Sequence, residues 1–206
     1  MTIYGDDIFT EGESSDDTLA NLGPLRALAG TWSGDVGVDV HPQSDGPEVD
    51  RFTESYVASA IDAQANGPQI LYGLSYHQHI LKPGEDATFH DQVGYWLWEP
   101  RTGQVMQTLA IPRGQVALAG GVVAADATEF TLTAKRGDPI YGISSNPFLD
   151  QAFRTLEWSV TITVHSEDSW SYEQTTVLEV NGEAFAHTDR NTLHRVGPPI
   201  ANPLSS

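Results

Sequence analysis

Turn signals cut this chain into short lengths. Ser44-Asp45-Gly46-Pro47, Asn66-Gly67-Pro68, Lys82-Pro83-Gly84, Pro100-Arg101-Thr102-Gly103, Ser166-Glu167-Asp168 and Asn181-Gly182 interrupt it, and apolar runs lie between them. In the clearest run, Trp158, Val160, Ile162 and Val164 alternate with Glu157, Ser159, Thr161 and Thr163. Period two is the signature of a half-buried strand, because successive strand side chains point to opposite faces. Val36, Val38 and Val40 alternate in the same way with Asp35, Gly37 and Asp39, and the stretch from Ile70 to Ile80 is rich in Tyr, Leu and Ile. Asn181-Gly182 is the strongest hairpin signal, since both residues tolerate the positive φ of a type I′ turn. Strands spaced by about ten residues and joined this way form an antiparallel meander, closed as a barrel or stacked as a sandwich. No repeat of solenoid or propeller length is present.

Composition narrows what such a chain could do. With 206 residues, a single domain is expected. Lys+Arg number 10 against 28 Asp+Glu, a formal charge of −18, so phosphate backbones and anionic lipid are repelled; neither nucleic acid nor membrane is expected as a partner. There is no cysteine, which removes disulfides, thiolate metal sites and cysteine nucleophiles, and leaves histidine, carboxylate and hydroxyl groups. No stretch is apolar enough for a membrane helix, and the acidic start does not resemble a signal peptide, so the cytoplasm is the default expectation.

Three segments follow. Residues 1–17 carry acids without Lys or Arg and read as an acidic disordered tail; residues 197–206, with Pro198, Pro199 and Pro203, read as a second tail. The folded domain spans 18–196. One short helix opens it, with Asp17 or Thr18 as cap, Leu19, Leu22, Leu25 and Leu28 at three-residue spacing, and Gly30 as the stop. Residues 137–154 break the strand pattern and are expected to form a lid or plug. The fold class is therefore all-β: an up-and-down barrel of about ten strands with a short N-terminal helix.

Seven histidines are candidates for chemistry: His41, His77, His79, His90, His165, His187 and His194. None sits in an HExxH zinc motif, and no GxSxG elbow supports a serine hydrolase. His77-Gln78-His79 places two imidazoles on one strand face, which can chelate a metal, but two solvated polar positions on a barrel wall are the favoured reading. Trp32, set among Gly30, Gly34 and Gly37, is expected to plug a barrel end. If His90 points inward, so do Gln92 and Gly94, and the bare Gly94 is expected to leave room in a cavity.

Gly-x-Trp-x-Gly-x-x-Gly at 30–37, His-x-x-x-Gly-Tyr at 90–95, Leu-Ala-x-Pro-x-Gly at 109–114 and His…Leu-His-Arg at 187–195 together resemble the nitrobindin family. Its members are haem-binding barrels of the fatty-acid-binding-protein-like type, also found as the last domain of a THAP-type protein. The resemblance implies a ten-stranded barrel with ferric haem b in its mouth, held by one histidine near the last strand. It further implies nitric oxide binding and isomerisation of peroxynitrite to nitrate, an enzyme activity that exists only where haem is bound. Carried over by position, His187 is the metal ligand, while His90, Phe89, Ile111 and Thr176 line the cofactor pocket.

The last motif departs from the family. Matched without a gap, Leu193-His194-Arg195 puts Thr188 at the ligand position, and His187 is reached only by shifting one residue within a hairpin. A one-residue slip turns a strand side chain from cavity to solvent. The plain alternative for His187 is a polar strand residue bonded to Asp189 or water. Two other classes therefore stand beside the haem protein. One is a carrier of a small apolar or aromatic ligand, lined by Tyr72, Tyr76, Trp96, Trp98 and Ile111. The other is a structural module with a filled interior. Pairing of barrels into a homodimer stays open.

Overall fold

A computed structural model describes residues 3–205. Eleven strands close into one barrel: β1 (Gly30–Gln43), β2 (Gly46–Asn66), β3 (Gln69–Leu81), β4 (Thr88–Glu99), β5 (Gln104–Ile111), β6 (Gln115–Val122), β7 (Glu129–Arg136), β8 (Gly142–Ser145), β9 (Arg154–Ser166), β10 (Ser169–Val180) and β11 (Glu183–Gly197). Around the barrel they run β1-β11-β10-β9-β7-β8-β6-β5-β4-β3-β2, with β2 returning to β1. Every pairing is antiparallel except β7 with β8. The strand beyond the expected ten is β8, four residues inside the segment read as a lid. The same segment supplies the short helix α2 (Pro147–Ala152), capped by Asn146, whose side chain accepts from Leu149 N.

The turn chemistry is realised where the sequence marks it most strongly. Asn181, at φ 54°, is the one non-glycine with positive φ among the described residues, and Gly182 follows at 82°. Val180 and Glu183 then pair directly. On β9, Trp158, Val160 and Ile162 are buried while the residues between them are only partly covered.

At the front, the expected single helix is instead a short α1 (Thr18–Asn21) followed by a 3₁₀ segment, Gly23–Leu28, because Pro24 cannot sit inside a regular α-helix. Leu22, Leu25 and Leu28 are nonetheless fully buried and cap one end of the barrel. Trp32 fills that end. It is fully buried, its Nε1 donates to Leu28 O at 2.8 Å, and its ring meets Trp170 edge-on at 6.0 Å. Arg195 lies 4.1 Å over the same ring and donates to Ala29 O.

Tyr72, Tyr76, Trp96 and Trp98 belong to this packed core. Of the five residues expected to line a ligand cavity in the carrier reading, Ile111 lines the cavity at the barrel mouth and Tyr76 borders a separate pocket beside the 137–144 segment. Gly94 also differs from expectation. A Cβ there would lie 1.9 Å from Thr108 O and 3.0 Å from the Tyr76 ring, so its bareness permits a close strand approach, and Gly94 borders the pocket beside the 137–144 segment and not the cavity at the barrel mouth.

Both chain ends touch the barrel. Tyr4 OH donates to Glu99 Oε2 at 2.8 Å, and Ser15 N donates to Tyr72 OH at 3.0 Å. Asn202, fully buried, accepts from Thr18 N and donates to Asp16 O and to Asp62 Oδ1. Asn202→Ala is expected to lower the unfolding free energy by about 1–3 kcal/mol, since it strands a buried donor and two acceptors. Equilibrium urea unfolding checks this; an unchanged midpoint refutes it. No helix among the described residues is long and apolar enough to cross a membrane.

Candidate functional site

Opposite the Trp32 end the barrel holds a cavity of about 440 Å³. Two strand irregularities decide what faces it. Between Gly34 and Gly37 the register of β1 with β2 shifts, so the inward set passes from Trp32 and Gly34 to Gly37, Asp39 and His41. The valines that seemed to mark the buried face turn outward; Val36 is 55% exposed and Asp39 only 3%. Between β3 and β4, Ile80 pairs with His90 but Leu81 pairs with Thr88. Phe89 is the extra residue, and both Phe89 and His90 reach the cavity.

The five residues expected at the site all line this one cavity: His90 and Phe89 on β4, Ile111 at the end of β5, Thr176 on β10 and His187 on β11. Thr176 pairs directly with His187. His194 is exposed, seven residues and one face away. His77 and His79 lie on the outer wall, bonded to Asp91 and Thr88. Leu149 of α2 and Phe153 just after it cover part of the opening.

The alternative reading of His187, a strand residue beside Asp189, named one of its acidic neighbours; sequence reasoning missed the other, Asp39. Asp39 and Asp189 are direct cross-strand partners. His187 Nε2 lies 2.6 Å from Asp39 Oδ2 and 3.5 Å from Asp189 Oδ1, and His41 Nδ1 contacts the other Asp39 oxygen. Burial disfavours the imidazolium of His187, but Asp189 and Asp39 outweigh it and push its pKa up to about 10. Burial likewise opposes a charged Asp39, yet bonds from His187, Asp189 and His41 hold its carboxyl well below the usual range. His90 is the contrasting case: burial outweighs a bond with Gln92 and lowers its pKa, so it meets the cavity as a neutral ring. Asp39 could have been found only by someone who knew of the β1 bulge.

Deeper in, Glu54 is almost fully buried and accepts from Gln78 Nε2 at 2.7 Å, Tyr172 OH at 2.9 Å and Asn191 Nδ2 at 2.9 Å. Burial overrides these donors and pushes its pKa up to about 7 from an ordinary 4.5. A raised carboxyl contributes its stability while protonated, in full below about pH 4.5, and loses it as pH rises through 7. The unfolding free energy should fall by about 3 kcal/mol over that window, at about 1.4 kcal/mol per unit. Asp189, raised to about 6, steepens the lower part. In Glu54→Gln, denaturation measured from pH 4.5 to 8 should lose the upper part of the slope; curves parallel to the parent would contradict the assignment.

The site's chemistry suits a haem. Phe52, Ile80, Leu109, Ile111, Phe153 and Trp158 give an apolar wall for a flat macrocycle, and Arg113 offers a cation for its carboxylates. A ligating imidazole is usually oriented by a carboxylate on its other nitrogen. Asp39 contacts Nε2 of His187 in this way, so a metal held by this ring would meet Nδ1.

The family described as "THAP4-like, heme-binding beta-barrel domain" matches residues 21–195. Among solved structures, the crystal structure of Rv2717c from M. tuberculosis is similar, with a TM-score of 0.62 and 22% identity over 86% of this chain and 96% of that one. At that identity the likeness speaks for the fold alone. No curated protein matches.

Proposed function

Because the chain belongs to the THAP4-like, haem-binding β-barrel domain family, we propose that its mouth cavity holds ferric haem b, with His187 as the residue that would hold the iron. What supports this reading is that Phe89, His90, Ile111, Thr176 and His187, drawn from four strands, line one cavity with apolar walls. When bound, the haem would supply a ferric centre able to bind nitric oxide and to isomerise peroxynitrite to nitrate, a rearrangement that needs no other reactant. The protein's own residues hold, orient and shield. Asp39 accepts a hydrogen bond from Nε2–H of His187 and fixes its ring; Leu149 and Phe153 exclude water; neutral His90 can donate to or accept from a small oxide. To hold an iron, His187 would have to give up the proton on Nδ1 to solvent.

A second reading is favoured by the two carboxylates that already engage Nε2 of His187. In it, the cavity carries a small apolar or aromatic ligand without haem. Hemin titration of the purified chain, followed at the Soret band, separates the two: a saturable one-to-one change supports haem, and only non-specific binding favours the carrier.

A further inference from the structure

Asp39 and Asp189 face one another across β1 and β11, both on the inward side. Like charges directly opposite on adjacent strands repel, and burial sharpens the repulsion. The fold nevertheless puts them there with imidazoles on both sides: His187 from β11, its Nε2 within 2.6 and 3.5 Å of the two carboxylates, and His41 from β1 on the far oxygen of Asp39. One ligand atom from each of Asp39, His187 and Asp189 lies within 4.8 Å of the other two. That spread can contract onto one ion, since metal–N and metal–O bonds of about 2.0–2.2 Å put neighbouring donors about 3 Å apart. The alternation that makes the barrel wall has thus set three donors on a single patch at the cavity mouth.

We propose that Asp39, His187 and Asp189 form a binding site for a divalent cation of the first transition row, with His41 orienting Asp39. An imidazole beside two carboxylates favours Zn²⁺, Mn²⁺, Fe²⁺ or Co²⁺ over Mg²⁺ and Ca²⁺, which prefer oxygen ligands alone. Three protein donors leave positions for water or for a ligand arriving from the cavity. The site goes beyond the haem reading and does not depend on it. His187 serves one metal at a time, so the cation belongs to the haem-free barrel.

The test is calorimetric titration of the full chain, chelator-treated and free of hemin, with ZnCl₂, repeated with CoCl₂ by visible absorption. One ion per chain is expected, with Asp39→Asn and His187→Gln each weakening it at least about tenfold. The outer pair His77 and His79, with ring centroids 6.2 Å apart, is the rival chelator. The double variant His77→Gln/His79→Gln should therefore keep both the stoichiometry and the affinity. Circular dichroism of each variant reports folding. Should an inner variant not fold, the cobalt spectrum decides, because it must survive in the outer double variant. Absence of binding in the parent chain, binding untouched by folded inner variants, or its loss in the outer double variant overturns the site. Hemin is absent throughout, so a failure of the haem reading leaves the result unaffected.

Discussion

His187→Ala is expected to weaken hemin binding at least about a hundredfold and to remove the Soret shift of an imidazole-ligated ferric haem. Loss of a group that merely orients a metal ligand already costs about ten- to a hundredfold, and removing the ligand costs no less. His90, neutral and half-buried in the wall, has no side-chain bond to a carboxylate among the described residues like the one by which Asp39 holds His187. His90→Ala should therefore lower affinity modestly and leave the imidazole signature in place. His194, exposed and facing away, should be silent on substitution. Soret titrations of the parent and the three variants check this. If His90→Ala abolishes binding while His187→Ala does not, the ligand lies on β4. If hemin binds none of them specifically, the apolar-ligand carrier becomes the leading reading.

Trp32→Ala is expected to lower the unfolding free energy by about 3–5 kcal/mol, the cost of deleting a large buried aromatic. The ring is fully buried, packs edge-on against Trp170, carries Arg195 over its face and bonds Leu28 O through Nε1. Its loss uncouples the 3₁₀ segment from the barrel end that the segment covers. Because the cavity is at the opposite end, the loss should be equal with and without hemin, and hemin affinity should stay at the parent level. Denaturant unfolding of both forms provides the measurement. A variant that keeps its stability but loses its ligand would make Trp32 a pocket residue.

How much of this was legible depended on whether a residue's role follows from its local pattern. Asn181-Gly182 forms its hairpin because two adjacent residues suffice to set the turn. Trp158, Val160 and Ile162 face inward because β9 is regular there. The motifs around Trp32, His90 and Leu109, and the place of His187, led to the right barrel and to one cavity. Asp39 escaped because the β1 bulge reverses the face on which the valines and acids fall, and a bulge has no fixed spacing to read. Glu54 escaped because its partners, Gln78, Tyr172 and Asn191, come from three other strands. The strand β8 was read as part of a lid because Pro139, Gly142 and Pro147 hide a strand of only four residues.

That short strand also gives the wall its weakest seam. Elsewhere the strands are joined by long ladders, but β6 meets β7 only at Gly120 and Thr133, and β8 bridges the rest through three pairs to β6 and two to β7. Few bonds have to break for the wall to part there, so its amides should exchange with solvent sooner than those of β1, β2 or β10. The seam leads directly into α2, whose Leu149 covers the cavity, and Arg136 at the end of β7 is tied to Asp150 of that helix by an ion pair. A guest could therefore reach the cavity through the side of the cylinder, at a rate set by how often this seam opens and not by the width of the mouth.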